Sequence, residues 1–135
     1  MRQQQIQKEL SNLESSEYKK VNNNFILRNP SNFCFNFHET VKLWLCLLLR
    51  QEYGNEILFL ATERKIPGSE DVADVLVYFR DDIVPYEIKG EITEEWKQKI
   101  ISRDNEIGTN TKVIPISDVP KDFSSAMVAL RRLIR

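Results

Sequence analysis

The sequence predicts an α/β domain with a central mixed sheet and helices on both faces. Three observations predict it. Apolar segments of strand length recur at 56–63, 72–80, 84–90 and 112–116. Segments of helical periodicity, at 36–53, 93–102 and 123–134, stand before, between and after them. The strands 72–80 and 84–90 are separated by little more than Asp81-Asp82, the polar turn of a hairpin.

Taken in order, the chain opens with a stripe of Ile6, Leu10 and Leu13, spaced as one face of a short amphipathic helix within 1–17. This face has too few apolar residues to stand alone, so it docks on the body of the protein, on a twin chain or on a protein partner. Asn22-Asn23-Asn24 and Asn29-Pro30-Ser31-Asn32 are turn signals, and Phe25-Ile26-Leu27 between them suits a short strand. Residues 1–35 thus form an amino-terminal helical extension to a domain at 36–135. Asn36 is placed to cap a helix reaching Tyr53, with Gly54 as its stop. Val41, Trp44, Leu45, Leu48 and Leu49 give this helix a wide apolar face, which Leu43, Cys46 and Leu47 extend almost all round, as in a central helix.

Ile66-Pro67-Gly68-Ser69 breaks the first long strand. Thr93 or its neighbour starts the next helix, with Trp96, Ile100 and Ile101 facing inward. A loop over 105–111 follows, and Pro115 puts the last strand at an edge or near its own end. The final helix turns Met127, Leu130, Leu133 and Ile134 inward and Arg131, Arg132 and Arg135 outward.

A chain of 135 residues, 41% hydrophobic and 29% charged, is long enough for one domain with a real core. The longest apolar run, Leu43 to Leu49, is too short to span a bilayer, and the first ten residues lack a signal peptide's apolar stretch. The expectation is a cytoplasmic protein without membrane attachment. Cys34, Cys46 and the single His38 do not make a closed zinc site, so the cysteines read as reduced, buried thiols. A net charge of −1 is unlike the basic balance of a non-specific nucleic-acid binder.

The chemistry concentrates in Val72 to Glu91. Glu-x-Lys occurs four times, at Glu17/Lys19, Glu63/Lys65, Glu87/Lys89 and Glu95/Lys97, so the motif alone selects nothing. On a strand the two residues share a face; on a helix they do not. Glu87 and Lys89 lie inside a strand whose hairpin partner carries its own acid, Asp74. If Arg80 pairs with Ile83, Asp74 lies opposite Lys89 and diagonal to Glu87, about 7 Å away between Cα atoms. An even loop, or a bulge, is required to put the three on one face. Two carboxylates, with the Ile88 carbonyl in reserve, suit Mg²⁺ or Mn²⁺. Lys89 then stands beside the attacking water, an arrangement suited to phosphodiester hydrolysis. The plainer alternative is a set of ion pairs at the sheet rim. Asp81 and Asp82 are explained as turn residues, and Glu70 and Asp71 are rival acids in the approach loop.

The order helix–β–β–β–helix–β, with Asp74 on the second strand and Glu87-Ile88-Lys89 on the third, resembles the PD-(D/E)XK nuclease superfamily, closest in layout to archaeal Holliday-junction resolvase-like endonucleases. The resemblance covers residues 36–117. It implies a restriction-endonuclease-like αβββαβ core and a divalent-metal-dependent DNA endonuclease, with branched DNA as a substrate class. It implies Asp74, Glu87 and Lys89 as catalytic residues. Asp74, Glu87 and the Ile88 carbonyl become metal ligands, and Glu39 on the first helix an auxiliary acid and ligand. Lys97 or Gln98 would contribute from the next helix. Lys42, Arg64, Lys65 and Lys97 are candidate phosphate contacts for such an enzyme, with solvated surface the plainer role for any one of them. Resolvase-type action implies a homodimer. Where the family carries proline before its first acid, this chain has Ala73. The alternative is a catalytically silent module of the same fold that binds DNA or a protein partner.

Overall fold

The computed structural model describes residues 18–21, 25–28 and 37–135. The expected amino-terminal helix and the Asn36 cap lie outside these residues. Strands β1 (Tyr18–Val21) and β2 (Phe25–Arg28) are followed by helix α1 (Phe37–Tyr53), then β3 (Ile57–Lys65), β4 (Val72–Phe79) and β5 (Ile83–Lys89). Helix α2 (Glu94–Ile107), strand β6 (Lys112–Pro115), a short 3₁₀ turn at Ile116–Asp118 and helix α3 (Phe123–Ile134) complete the order. The strands make one mixed sheet in the order β1-β2-β3-β4-β5-β6. The three strands β3 to β5 form an antiparallel meander, and β2 and β6 run parallel to β3 and β5. Strand β2, counted with the amino-terminal extension, therefore belongs to the same sheet as the central strands.

Alternation along the strands divides the core in two. On one face Leu60, Val75, Val77, Tyr86, Ile88 and Ile114 meet Leu45 and Leu49 of α1 and Leu130 and Ile134 of α3. On the other Phe59, Ala61, Leu76, Tyr78 and Ile83 cluster with Ile66, with Ile107 at the end of α2 packed against them. Pro115 ends an edge strand, the position a residue without an N–H tolerates.

Several local expectations change. Leu47 is about half exposed, so α1 is a two-sided rather than an all-round buried helix. Ile101 is also half exposed, and of the predicted inward residues on α2 only Ile100 is fully covered. Helix α2 runs past Ser102 to Ile107 and ends at Gly108, whose φ of 73° is the left-handed cap that glycine accepts without strain. The segment after it is fastened by Asp104, whose carboxylate accepts from Thr109 Oγ1, Thr111 Oγ1 and the Thr111 N–H at 2.6–2.9 Å. Asp104→Ala removes all three bonds and is expected to cost about 2–3 kcal/mol in chemical denaturation. Gly54 follows the last residue of α1, and a Cβ there would meet the Arg50 carbonyl oxygen at 2.5 Å, so the position has no room for a side chain.

Candidate active site

Strands β4 and β5 part at one end of the sheet. Their ladder runs from Tyr78↔Ile83 to Val75↔Tyr86 and stops. Beyond that point β4 stays paired with β3 as far as Val72, while β5 stays paired with β6 as far as Lys89. On its β4 side the backbone of Ile88 therefore loses its partner strand, and buried N–H and C=O groups need replacements. Asp74 supplies one: its Oδ2 accepts the Ile88 N–H at 2.7 Å. His38, in the first turn of α1, supplies the other, with Nε2 3.2 Å from the Ile88 carbonyl oxygen and 3.6 Å from Asp74 Oδ1. An aspartate and a histidine thus fill the cleft where the strands separate.

The hairpin register differs from the expected one. Four residues, 79–82, stand between Tyr78 and Ile83, and the turn is closed by Phe79 N–H donating to the Asp82 carbonyl at 2.8 Å. Asp82 also accepts the Ile83 N–H through its side chain, the turn role its type suggests. The pairing is shifted by two residues from Arg80↔Ile83, so parity is kept and the partner changes. Continued past Val75↔Tyr86, the register sets Asp74 against Glu87 rather than against Lys89. The two acids are cross-strand rather than diagonal neighbours.

Glu87 carries the consequence. Its side chain is 14% exposed, and its Oε1 is buried without a hydrogen-bond partner. Burial first, and then the charge of Asp74, pushes its carboxyl up to about 7. Arg103 Nη2 is 3.9 Å from that oxygen, close enough to attract it but beyond hydrogen-bond distance. Arg103 is itself held by Asp71 Oδ2 and Thr111 Oγ1, each at 3.0 Å. Lys89 extends its ammonium over the Trp96 ring of α2 at 5.2 Å from the centroid, a cation–π contact that keeps the charge at the cleft. The His38 imidazole is raised from its ordinary value, chiefly by Asp74 beside it, against the opposing effect of burial.

Glu39 is engaged on the α1 side. Lys42 Nζ lies 2.9 and 3.1 Å from its two oxygens, and Glu39 Oε1 is 3.6 Å from His38 Nδ1. The His38 ring therefore stands between Glu39 and Asp74. Lys42 is 1% exposed, which removes it from the expected phosphate contacts: a buried ammonium already flanked by carboxylates does not reach a ligand in solvent. Lys65 pairs with the exposed rival acid Glu70, and Lys97 and Gln98 are exposed on α2, with Gln98 bonded to Glu94. Asp71, the other rival, is taken by Arg103.

A divalent cation fits this set in part. Among the described residues no three His, Cys, Asp or Glu side chains gather into a cluster able to hold a metal. What the cleft offers is a carboxylate pair, one of whose oxygens is buried without a partner, together with a backbone carbonyl and an imidazole nitrogen beside it. Oxygen donors suit Mg²⁺ and Mn²⁺. Sequence reasoning set His38 aside with the cysteines as an incomplete zinc set. Its signal was position: first turn of the central helix, one residue before a candidate acid.

Comparisons with known protein families, with curated proteins and with solved structures find no match for this chain. No described helix is long and apolar enough to cross a membrane.

Proposed function

We propose that this chain is a divalent-metal-dependent endonuclease that hydrolyses phosphodiester bonds in DNA, with its centre at Asp74, Glu87 and Lys89. The observation that carries the proposal is Glu87: a carboxylate buried across from another acid, with one oxygen lacking any hydrogen-bond donor. Burying a charged group in this way is costly unless a cation compensates it, and arrangements of this kind concentrate at functional sites. The resemblance of the helix–β–β–β–helix–β order and of Asp74…Glu87-Ile88-Lys89 to the PD-(D/E)XK nucleases points to the same chemistry.

Asp74 and Glu87 would hold the cation, with the Ile88 carbonyl as a neighbouring oxygen donor; His38 donates its Nε2–H to that carbonyl and fixes it, and Glu39 acts behind through the His38 ring. Bound Mg²⁺ or Mn²⁺ supplies Lewis acidity at the phosphoryl oxygen and lowers the pKa of water. Lys89 sits two residues along the same strand from Glu87. It orients the attacking water and offsets negative charge that builds on the phosphorus oxygens as the P–O bond breaks. DNA carrying a two-fold branch would call for two copies of the chain.

A second reading, a silent module that binds DNA or protein, is favoured by one observation: both oxygens of Glu39 are already taken by Lys42. Supercoiled plasmid and four-way junctions incubated with Mg²⁺ or Mn²⁺ separate the two. The proposal expects metal-dependent cleavage by the wild type and none in EDTA. Tight junction binding without cleavage would replace it by the second reading.

A further inference from the structure

Trp96 stands apart from the core. It lies in the first turn of α2, is half-buried, and packs in neither of the two apolar clusters. The residues around it, from Glu94 to Lys99, are otherwise exposed and polar. Its ring forms one wall of an open groove of about 380 Å³, which Lys89, Glu91, Thr93, Glu95 and Lys99 complete. The groove begins at the cleft: Lys89 lies two residues along β5 from Glu87 and reaches over the ring, 5.2 Å from its centroid. Two lysines and two glutamates balance there, so the groove has no net pull on a phosphate. What it offers is an aromatic face beside an ammonium.

A nucleobase matches such a face, since every base has a π-surface that stacks on an aromatic side chain. We infer that this groove is a subsite for an unpaired nucleobase next to the phosphate that is cleaved, with Trp96 as its stacking platform. A base inside a continuous duplex has both faces covered by its neighbours and does not reach the ring unless it leaves the stack. The substrate class is therefore DNA with single-stranded nucleotides at the point of cleavage, as in a flap or a forked arm, rather than uninterrupted duplex. The entering base takes the ring face and leaves the Lys89 ammonium for the phosphate that the base carries, a charge pair in place of a cation–π contact. The inference rests on the nuclease reading of Asp74, Glu87 and Lys89 and adds the form of the substrate.

The chain holds two tryptophans, so Trp44→Phe leaves Trp96 as the sole tryptophan fluorophore. Titrations in EDTA prevent cleavage and read binding apart from any metal. A single strand of ten thymidines, and a duplex carrying that strand as an arm, are expected to quench Trp96 saturably. A blunt duplex, and an abasic strand with the same number of phosphates, are expected to leave it unquenched. Trp96→Ala in the otherwise native chain is expected to weaken the labelled thymidine strand, followed by anisotropy, about tenfold or more, and Trp96→Phe to recover most of the loss. No quenching by the single strand, equal quenching by the abasic strand or the blunt duplex, or unchanged affinity in a folded Trp96→Ala protein overturns the inference. Metal-dependent cleavage would then still stand on its own assay. Quenching by the single strand in a protein that cleaves nothing with Mn²⁺ supports the base subsite and overturns the nuclease reading alone.

Discussion

Glu87→Gln is expected to make the protein more stable above pH 7 and insensitive to divalent metal. The folded state holds the Glu87 carboxyl up at about 7 against an ordinary value of 4.5. A group whose folded pKa is raised binds its proton more tightly in the folded than in the unfolded chain. Its stabilising contribution is therefore complete below 4.5 and is lost as pH rises to about 7. A shift of this size corresponds to about 3 kcal/mol at pH 8, since one unit is worth about 1.4 kcal/mol. Glutamine at this position mimics the protonated form, so the variant keeps that stability at pH 8. His38, also raised, has the same sign and leaves a smaller residual slope in the variant as pH climbs through its own titration. Urea denaturation of both proteins from pH 4 to 8.5, with and without Mn²⁺, checks this. Ion bound at a hundred times its dissociation constant should stabilise the wild type by about 2.7 kcal/mol and the variant hardly at all. Parallel pH profiles, or equal responses to Mn²⁺, would mean that Glu87 is an ordinary rim acid.

Lys89→Ala is expected to abolish cleavage while leaving the fold and Mn²⁺ binding in place. Its ammonium makes no hydrogen bond to the carboxylates of the cleft that would be orphaned; its recorded contact is the face of Trp96. Losing a half-buried cation–π contact costs about 1–2 kcal/mol, too little to unfold the domain. Losing a charge aimed at the developing oxyanion costs about 10²–10³-fold in rate, about 3–4 kcal/mol of barrier. Single-turnover cleavage with saturating Mn²⁺, alongside the Mn²⁺ dissociation constant of each protein, separates the two quantities. A variant that cleaves at the wild-type rate would remove Lys89 from the chemistry. One that loses Mn²⁺ binding as well would make it part of the metal site instead.

The layout of the fold was legible because its signals are local. Helix α3 runs from Phe123 to Ile134, as its apolar spacing requires, and α1 ends at Tyr53, before a glycine that has no room for a side chain. Strand parity was also legible. An even loop keeps Asp74 and Glu87 in phase whether it holds two residues or four, so the face survived an error in register. The rest depended on where strands stop pairing. Nothing in the spacing of Asp74 and Ile88 says that their strands separate between them, and it is that separation which brings His38 to the Ile88 carbonyl. Lys42 looked like a charge in an exposed first turn. It is buried instead, against Glu39 and 3.4 Å from Glu63, a tertiary arrangement that no residue-type pattern announces. Ile101 misled for the opposite reason: it lies one residue beyond the inward position occupied by Ile100, and α2 covers its part of the sheet with Arg103 and Ile107 rather than with a continuous apolar stripe.

The parting of β4 and β5 is the proposed divalent-cation site. Crystals soaked in Mn²⁺, measured at a wavelength where manganese scatters anomalously, test it directly. An anomalous peak is expected in the cleft, bonded to Asp74, Glu87 and the Ile88 carbonyl, with the His38 ring adjoining it. An empty cleft, or a peak held by surface acids such as Glu70 or Glu95 instead, would contradict it.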